Sequence, residues 1–378
     1  MKYCAALILF VLMGGAGCDG LSGSTDTPPS DSTDASSVLK IDWMHDYQSV
    51  DGIQLSPTTV GDSLVLFSGA GRLQALRVKN GSVFWKSDSV DPKNVELRGH
   101  DLLLGPKAAY GAHVRNVYAW NVSDGSLKWT LNRPADTGLY ELGRYALGPN
   151  HVFLFGNGPQ VLRVDQASGA ITEVWRYTEP IFGATYRDNR LYLGQAWVPD
   201  GAEGQARGAL TKVNATTGDT LWTFETERGG FYDMRPIVHD DRVLAGTREG
   251  DAAFFAVDKE TGEEIWRNRQ GFTFAADHGD GYVYLNTSAE LMSISEETGR
   301  TVWKTDMPGG SGFGGVVYHD GYVYHPRGSA LIVVDADDGT IVHQEPSPSG
   351  YFWTLHAGAG RIFAQSSGHL IAYKPYQP

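Results

Sequence analysis

A short pattern recurs seven times along the chain: a strand-like run, a turn containing Gly, and a second run that carries an aromatic residue. The copies are Ala75–Trp85, Ala119–Trp129, Arg163–Trp175, Lys212–Trp222, Ala256–Trp266, Ser293–Trp303 and Val333–His343. The clearest reads Ala256-Val-Asp-Lys-Glu-Thr-Gly-Glu-Glu-Ile-Trp266. The turn glycines Gly81, Gly125, Gly169, Gly218, Gly262, Gly299 and Gly339 stand 44, 44, 49, 44, 37 and 40 residues apart. In five copies Trp follows Gly by four positions; Trp175 follows Gly169 by six, and His343 takes the Trp place after Gly339. A period of this length, with four strands in each unit, predicts a β-propeller.

The chemistry of one unit supports that reading. Alternating apolar runs such as Arg242-Val-Leu-Ala-Gly246 and Gly281-Tyr-Val-Tyr-Leu285 precede the turns. Period-two alternation of β-branched and aromatic residues makes strands. Asp, Asn or Thr just before Gly suits a hairpin in which Gly takes positive φ without steric conflict. A Trp on the outermost strand can lay its ring against the next sheet. One such sheet cannot bury both faces alone, so the units must stack around an axis.

The count of units predicts a closed ring of eight. Seven full units run from about Ile53 to Glu345, and Phe352–Tyr373 supplies three further strands with no fourth. Ahead of the first unit, Ile41-Asp-Trp43 reads as an orphan outer strand with its own Trp. Joining that strand to the incomplete last unit closes the ring and removes an exposed sheet edge. The expected fold is therefore an all-β, eight-bladed propeller over residues 41–378. High glycine (47) and only 20% charged residues fit many strands joined by tight turns. A formal charge of −13 opposes a nucleic-acid partner, which would need clustered Lys and Arg.

Residues 1–17 read as an export signal. Lys2 precedes a short apolar core, Ala5–Met13, too short to span a bilayer and of the length of a signal peptide's h-region. Gly14-Gly-Ala-Gly-Cys18 resembles a bacterial lipobox, with Gly15 where Leu is usual, and Cys18 is the expected lipidation site. The alternative is an ordinary signal peptide cut nearby. Both cysteines, Cys4 and Cys18, lie in this stretch, so the exported domain holds none for a disulfide. The polar Ser/Thr/Asp/Pro-rich segment after Cys18, to about residue 40, is expected to be a disordered tether. Asp19 leaves inner and outer membrane both open.

The repeat Ala-x-Asp-x-x-Thr-Gly-x-x-x-Trp resembles that of two families, the pyrroloquinoline-quinone dehydrogenases and the BamB lipoproteins of the β-barrel assembly machinery. The resemblance covers nearly everything after residue 40 and is more specific for fold than for function. Resemblance to the dehydrogenases implies a disulfide of adjacent cysteines against the quinone, Ca²⁺ held by Glu and Asn, and an Asp base. The cysteine pair has no counterpart here, and the best aligned carboxylates, Asp165, Asp258 and Asp335, stand in hairpin turns. Resemblance to BamB implies a lipid-anchored, non-enzymatic scaffold without cofactor, facing the periplasm, whose loops contact the soluble domains of a BamA-like barrel protein. That family's partner loop carries a Leu-x-Leu-Arg type run between mid-ring blades. The corresponding stretch, Glu225–Pro236, matches at Arg228 and lacks the leucines. An exported propeller with a different protein partner is the third reading.

Three motifs are expected to be structural. Gly310-Ser-Gly-Phe-Gly-Gly315 fits G-x-G-x-x-G, yet a strand-like run follows it where nucleotide binding needs a helix. His100, His151, His239, His278 and His319 each sit just before an inner strand of a different blade. Five positions spread round a ring are expected not to converge on one ion, so no metal site is expected. Asp335-Ala-Asp-Asp-Gly339 lacks the ligands of a calcium loop. The insertion Gln195–Gly208 has no explanation in the repeat. It is expected to push Trp197 and Val198 outward near Arg207 as partner-binding residues, the alternative being a loop tip with Trp197 folded back on its own blade.

Overall fold

The computed structural model describes residues 39–47, 56–69, 72–88, 102–105, 107–113, 116–132, 134, 144–200, 205–232, 235–250, 252–269, 275–287, 289–309 and 315–378. The expected signal peptide, Cys18, the tether as far as residue 38, His100 and Gly310–Gly314 lie outside them.

Among the described residues, eight antiparallel four-stranded sheets form the blades of a propeller. In the first seven, the strands are hydrogen-bonded in chain order. Blade 5, for example, runs Ile237–His239, Arg242–Gly246, Phe254–Asp258 and Glu264–Asn268. Blade 8 takes its first three strands, Phe352–Gly358, Arg361–Ser366 and His369–Tyr373, from the C-terminus. Its fourth is Ile41–Asp46, paired antiparallel to His369–Tyr373 with Trp43 opposite Ala372. The strand expected to close the ring does so. First strands of successive blades lie against one another at the axis, that of blade 8 reaching that of blade 1.

The core is divided among the blade interfaces. Among the described residues, eight buried apolar clusters each join two neighbouring blades. Across the closure, Trp43, Phe363, Leu370 and Ala372 pack on Val65, Phe67, Leu76 and Val78. Middle strands are buried on both faces, as Leu73–Leu76 shows, whereas outer strands alternate and expose their far side. This is why the middle strands read as apolar runs and the outer ones as single aromatics in polar surroundings.

The repeated Gly and Trp turn out to be partners across blades. Each Trp sits on the turn glycine of the following blade: Trp43 on Gly81, Trp85 on Gly125, Trp129 on Gly169, Trp175 on Gly218, Trp222 on Gly262, Trp266 on Gly299 and Trp303 on Gly339. These glycines have φ between +67° and +80°. A Cβ at any of them would fall within 2.8 Å of the indole above it or, at Gly339, also of the Thr305 hydroxyl. Glycine is thus required both by backbone conformation and by the ring lying on it. In six of the seven cases the indole N–H donates to a backbone carbonyl just past the next blade's third strand, at 2.7–3.1 Å.

Both departures from the pattern have structural reasons. In blade 3 the outer strand holds Glu173 opposite Arg163, the register that Trp occupies elsewhere, and Trp175 pairs with Val161 two residues further on. Two residues along a strand restores the same face, so Trp175 still covers Gly218. Its indole N–H now donates to Glu173 Oε2 at 2.7 Å, and Glu173 pairs with Arg163 at 2.6 Å. In blade 7 the next sheet receives its fourth strand from the N-terminus, so no hairpin glycine exists to receive a Trp. His343 instead stacks on Tyr376 of the C-terminal tail, with Nε2 2.9 Å from Glu345.

Candidate partner-binding face and interblade histidine site

Antiparallel strands assign the loops to two faces. The turns between first and second strands and between third and fourth strands share one face, where the glycines lie. The turns between second and third strands and the connectors to the next blade share the other, the connector face.

The residues expected to bind a partner lie on the connector face. Blade 4 has a long hairpin in which Arg190–Trp197 pairs with Arg207–Asn214, the last rung being Trp197 opposite Arg207. Gln195–Trp197 and Arg207–Gly208 belong to strands, so the loop proper is 198–206, narrower than the sequence insertion. Val198 is 50% exposed, Arg207 is exposed and Trp197 is half-buried. The connector after Thr226 folds back over this hairpin. Gly229 N–H donates to the Ala206 carbonyl at 2.7 Å, and Phe231 N–H to the Gln195 carbonyl at 3.1 Å. Gly230 lies so close to Ala196 that a side chain would collide with it. Gly230 and Arg248 exchange backbone hydrogen bonds at 2.8 and 2.9 Å, tying the connector to blade 5. Exposed Arg228 therefore sits beside the loop that Trp197 and Arg207 flank, although 31 positions of sequence separate Trp197 from it.

An exposed aromatic pair on this face was not singled out by the sequence. Tyr351 (60% exposed) and Trp353 have ring centroids 6.2 Å apart at the start of blade 8, and Trp353 Nε1 donates to Ser367 Oγ at 3.3 Å. The signal was present in Tyr351-Phe-Trp353: alternation with buried Phe352 inside puts both flanking rings outside.

The turn carboxylates serve the turns. Asp165 Oδ1 accepts from Ala167 N–H, Ser168 N–H and Ser168 Oγ, and Asp258 Oδ1 from Glu260 and Thr261 N–H. The Ser168 hydroxyl chiefly lowers the pKa of Asp165, and the Thr261 N–H that of Asp258. Asp335 accepts from Asp337 N–H in the same manner. After Gly315 comes the strand Val317–His319, not a helix.

Of the five histidine positions, the structure brings two together. His151 opens a second strand, His239 and His319 end first strands, and His278 stands one residue before a first strand's end. Adjacent blades nearly touch at the axis, so matching positions of neighbours meet. At two of these junctions a Tyr covers a Gly: Tyr186 on Gly148 between blades 3 and 4, Tyr318 on Gly279 between blades 6 and 7. Between blades 5 and 6 the same place holds two imidazoles, His239 and His278, with centroids 4.9 Å apart. Glu296, past the third strand of blade 6, completes the group. Its Oε1 lies 2.8 Å from His239 Nδ1, and its side chain is only 9% exposed. One donor atom from each of the three residues lies within 4.8 Å of the others. Register between blades was the missing signal, and it follows only when the units are aligned on their turns.

The backbone of Glu296 is fixed from both blades. Its carbonyl accepts from Trp266 Nε1 at 2.9 Å and Arg242 NH1 at 2.7 Å, and its N–H donates to the Gly281 carbonyl at 2.9 Å. Asp241 faces Arg242 at 2.8 Å and raises its pKa.

These features define a class, the eight-bladed propellers of pyrroloquinoline-quinone type repeats, with glycine turns docked under tryptophans. A family model described as outer membrane protein assembly factor BamB matches residues 40–149, 115–267, 206–293 and 287–375. The chain belongs to that family. The outer membrane protein assembly factor BamB of Yersinia pestis is 23% identical over 340 residues, covering 84% of each chain. The polyvinylalcohol dehydrogenase of a Pseudomonas species is 21% identical over 74% of this chain and 48% of its own length. Among solved structures, the quinohemoprotein alcohol dehydrogenase of Comamonas testosteroni superposes with a TM-score of 0.69 at 13% identity. The match covers 90% of this chain and 77% of that one, a likeness of fold alone.

Proposed function

We propose that the protein is a non-enzymatic scaffold of outer-membrane protein assembly, anchored by lipid on Cys18 and held at the outer membrane facing the periplasm. In this reading it binds a BamA-like barrel protein through the connector face, with Trp197, Val198, Arg207 and Arg228 in the contact. The observation that carries it is the family match, which spans residues 40–375. An exposed apolar and arginine-bearing surface, braced by a connector bonded to two blades, suits recognition of a protein. The absence of cysteine beyond Cys18 removes the adjacent-cysteine disulfide that the quinone enzymes' pattern implies.

The test is co-purification of the full-length protein from its own envelope in mild detergent. A BamA-like barrel protein is expected in the eluate. Deleting 198–203, which leaves a short turn and keeps Ala206 bonded to Gly229, is expected to lower its yield at least about tenfold, a change typical of a lost contact hot spot, at little-changed thermal stability. An eluate without the barrel protein sinks the scaffold reading; undiminished yield after deletion sinks the assigned surface. The second reading, favoured by the resemblance to dehydrogenases, is a quinone enzyme. It requires saturable binding of the quinone with Ca²⁺ and dye reduction on adding an alcohol.

A further inference from the structure

We infer that His239, His278 and Glu296 form a site for a divalent transition-metal ion that bridges blades 5 and 6. This inference is independent of the assembly role. Two imidazoles and a carboxylate are the donor set that suits zinc and its neighbours, rather than calcium or magnesium, which take oxygen ligands. The three donor atoms already fall within 4.8 Å of one another. Ligands on a tetrahedral ion at about 2.1 Å stand roughly 3.4 Å apart, so His239 Nδ1 and Glu296 Oε1 need open only slightly from 2.8 Å.

Three features distinguish the group from a chance surface cluster. Its carboxylate is almost wholly buried, and the backbone of the same residue is bonded from both sides, so the ligand is positioned before any ion arrives. The ligands come from two blades, His239 from one and His278 with Glu296 from the next. Finally, His239 is partly open to solvent, which gives an ion its entry and leaves room for water as a fourth ligand. Binding displaces the proton shared between His239 and Glu296, so one imidazole–carboxylate hydrogen bond is exchanged for metal coordination. Arg242 is the nearby cation opposing an ion; it is turned to the Glu296 carbonyl and paired with Asp241.

The experiment uses full-length protein in detergent, without a polyhistidine tag, stripped with chelator and titrated with ZnCl₂. One saturable zinc ion per chain is expected, and at a hundredfold excess over Kd a rise in Tm of about 4 °C. His239→Gln, His278→Gln and Glu296→Gln should each weaken binding at least about tenfold. His319→Gln, which alters a strand-end histidine outside the group, should leave it unchanged. Absence of one-to-one binding overturns the site, as does equal loss in His319→Gln. Should Glu296→Gln fail to fold, His278→Gln decides, since that side chain is only half-buried.

Discussion

Gly262 and Trp222 illustrate how one contact, repeated, holds the ring. Replacing Gly262 with Ala meets two penalties: φ is +78°, and the new Cβ would lie 2.8 Å from the Trp222 ring. Gly281 has a similar φ of +81° with open space where a Cβ would go. Gly281→Ala should therefore cost about 1 kcal/mol from backbone strain alone, and Gly262→Ala about 2–3 kcal/mol, as measured by urea unfolding. Equal losses would show that the indole does not rest on the turn. His325 supplies a second test. Burial, with the nearby charge of Arg327, lowers its pKa from 6.5 to about 4 while Nδ1 faces the Gly315 carbonyl. The folded protein keeps this ring neutral, whereas the unfolded chain takes up a proton below pH 6.5. Stability from this group is complete above pH 6.5 and is lost as pH falls towards 4. His325→Gln should flatten the fall in Tm across that window; an identical slope in wild type and variant would refute the assignment.

Blades whose units keep the four-residue spacing were readable from sequence because strand alternation, turn glycine and Trp all point to one arrangement. Blade 3 was readable as a blade, but the exchange of Trp175 for Glu173 in register was not. Spacing alone cannot show that a carboxylate fills the vacated rung and accepts a hydrogen bond from the indole N–H. His343 was visible as a departure, while its cause lay in blade 8, where an N-terminal strand replaces a hairpin. The long hairpin of blade 4 was found as an insertion, and its bond to Gly229 through Ala206 was not, since nothing local encodes a connector folding back. The pairing of His239 with His278 escaped for a related reason. Equivalent turns lie far apart in sequence, and only the convergence of blades at their inner strands brings such positions into contact.

Closure distributes stability over eight interfaces, and the one between blades 8 and 1 depends on a strand remote in sequence. Asp42 pairs with Arg361 at 2.6 Å, and Trp43 Nε1 donates to the Val78 carbonyl at 2.7 Å. Trp43→Ala combined with Asp42→Ala should destabilise the molecule by about 3–5 kcal/mol, most of it from the buried indole. Limited proteolysis should then show first cleavage near residues 41–47 and in blade 8. Cleavage that begins elsewhere would mean the closing strand is dispensable. The sequence showed that the ring closes and with which strand. It did not show Tyr47, whose hydroxyl donates to the Ser366 carbonyl at 2.7 Å, because a tyrosine after a strand carries no mark of such a long-range bond.

Blade 8 also imposes an order of events during synthesis. Asp42 leaves the ribosome 319 residues before its partner Arg361. At about 5–20 residues per second, the strand bearing Trp43 waits on the order of tens of seconds without a neighbour. Seven sheets can form once the chain is free to fold, but the eighth has only its outermost strand until the final residues appear. A nascent chain stalled shortly before its end would thus display an open seam rather than a smaller finished molecule, giving quality-control proteases a way to tell the two apart.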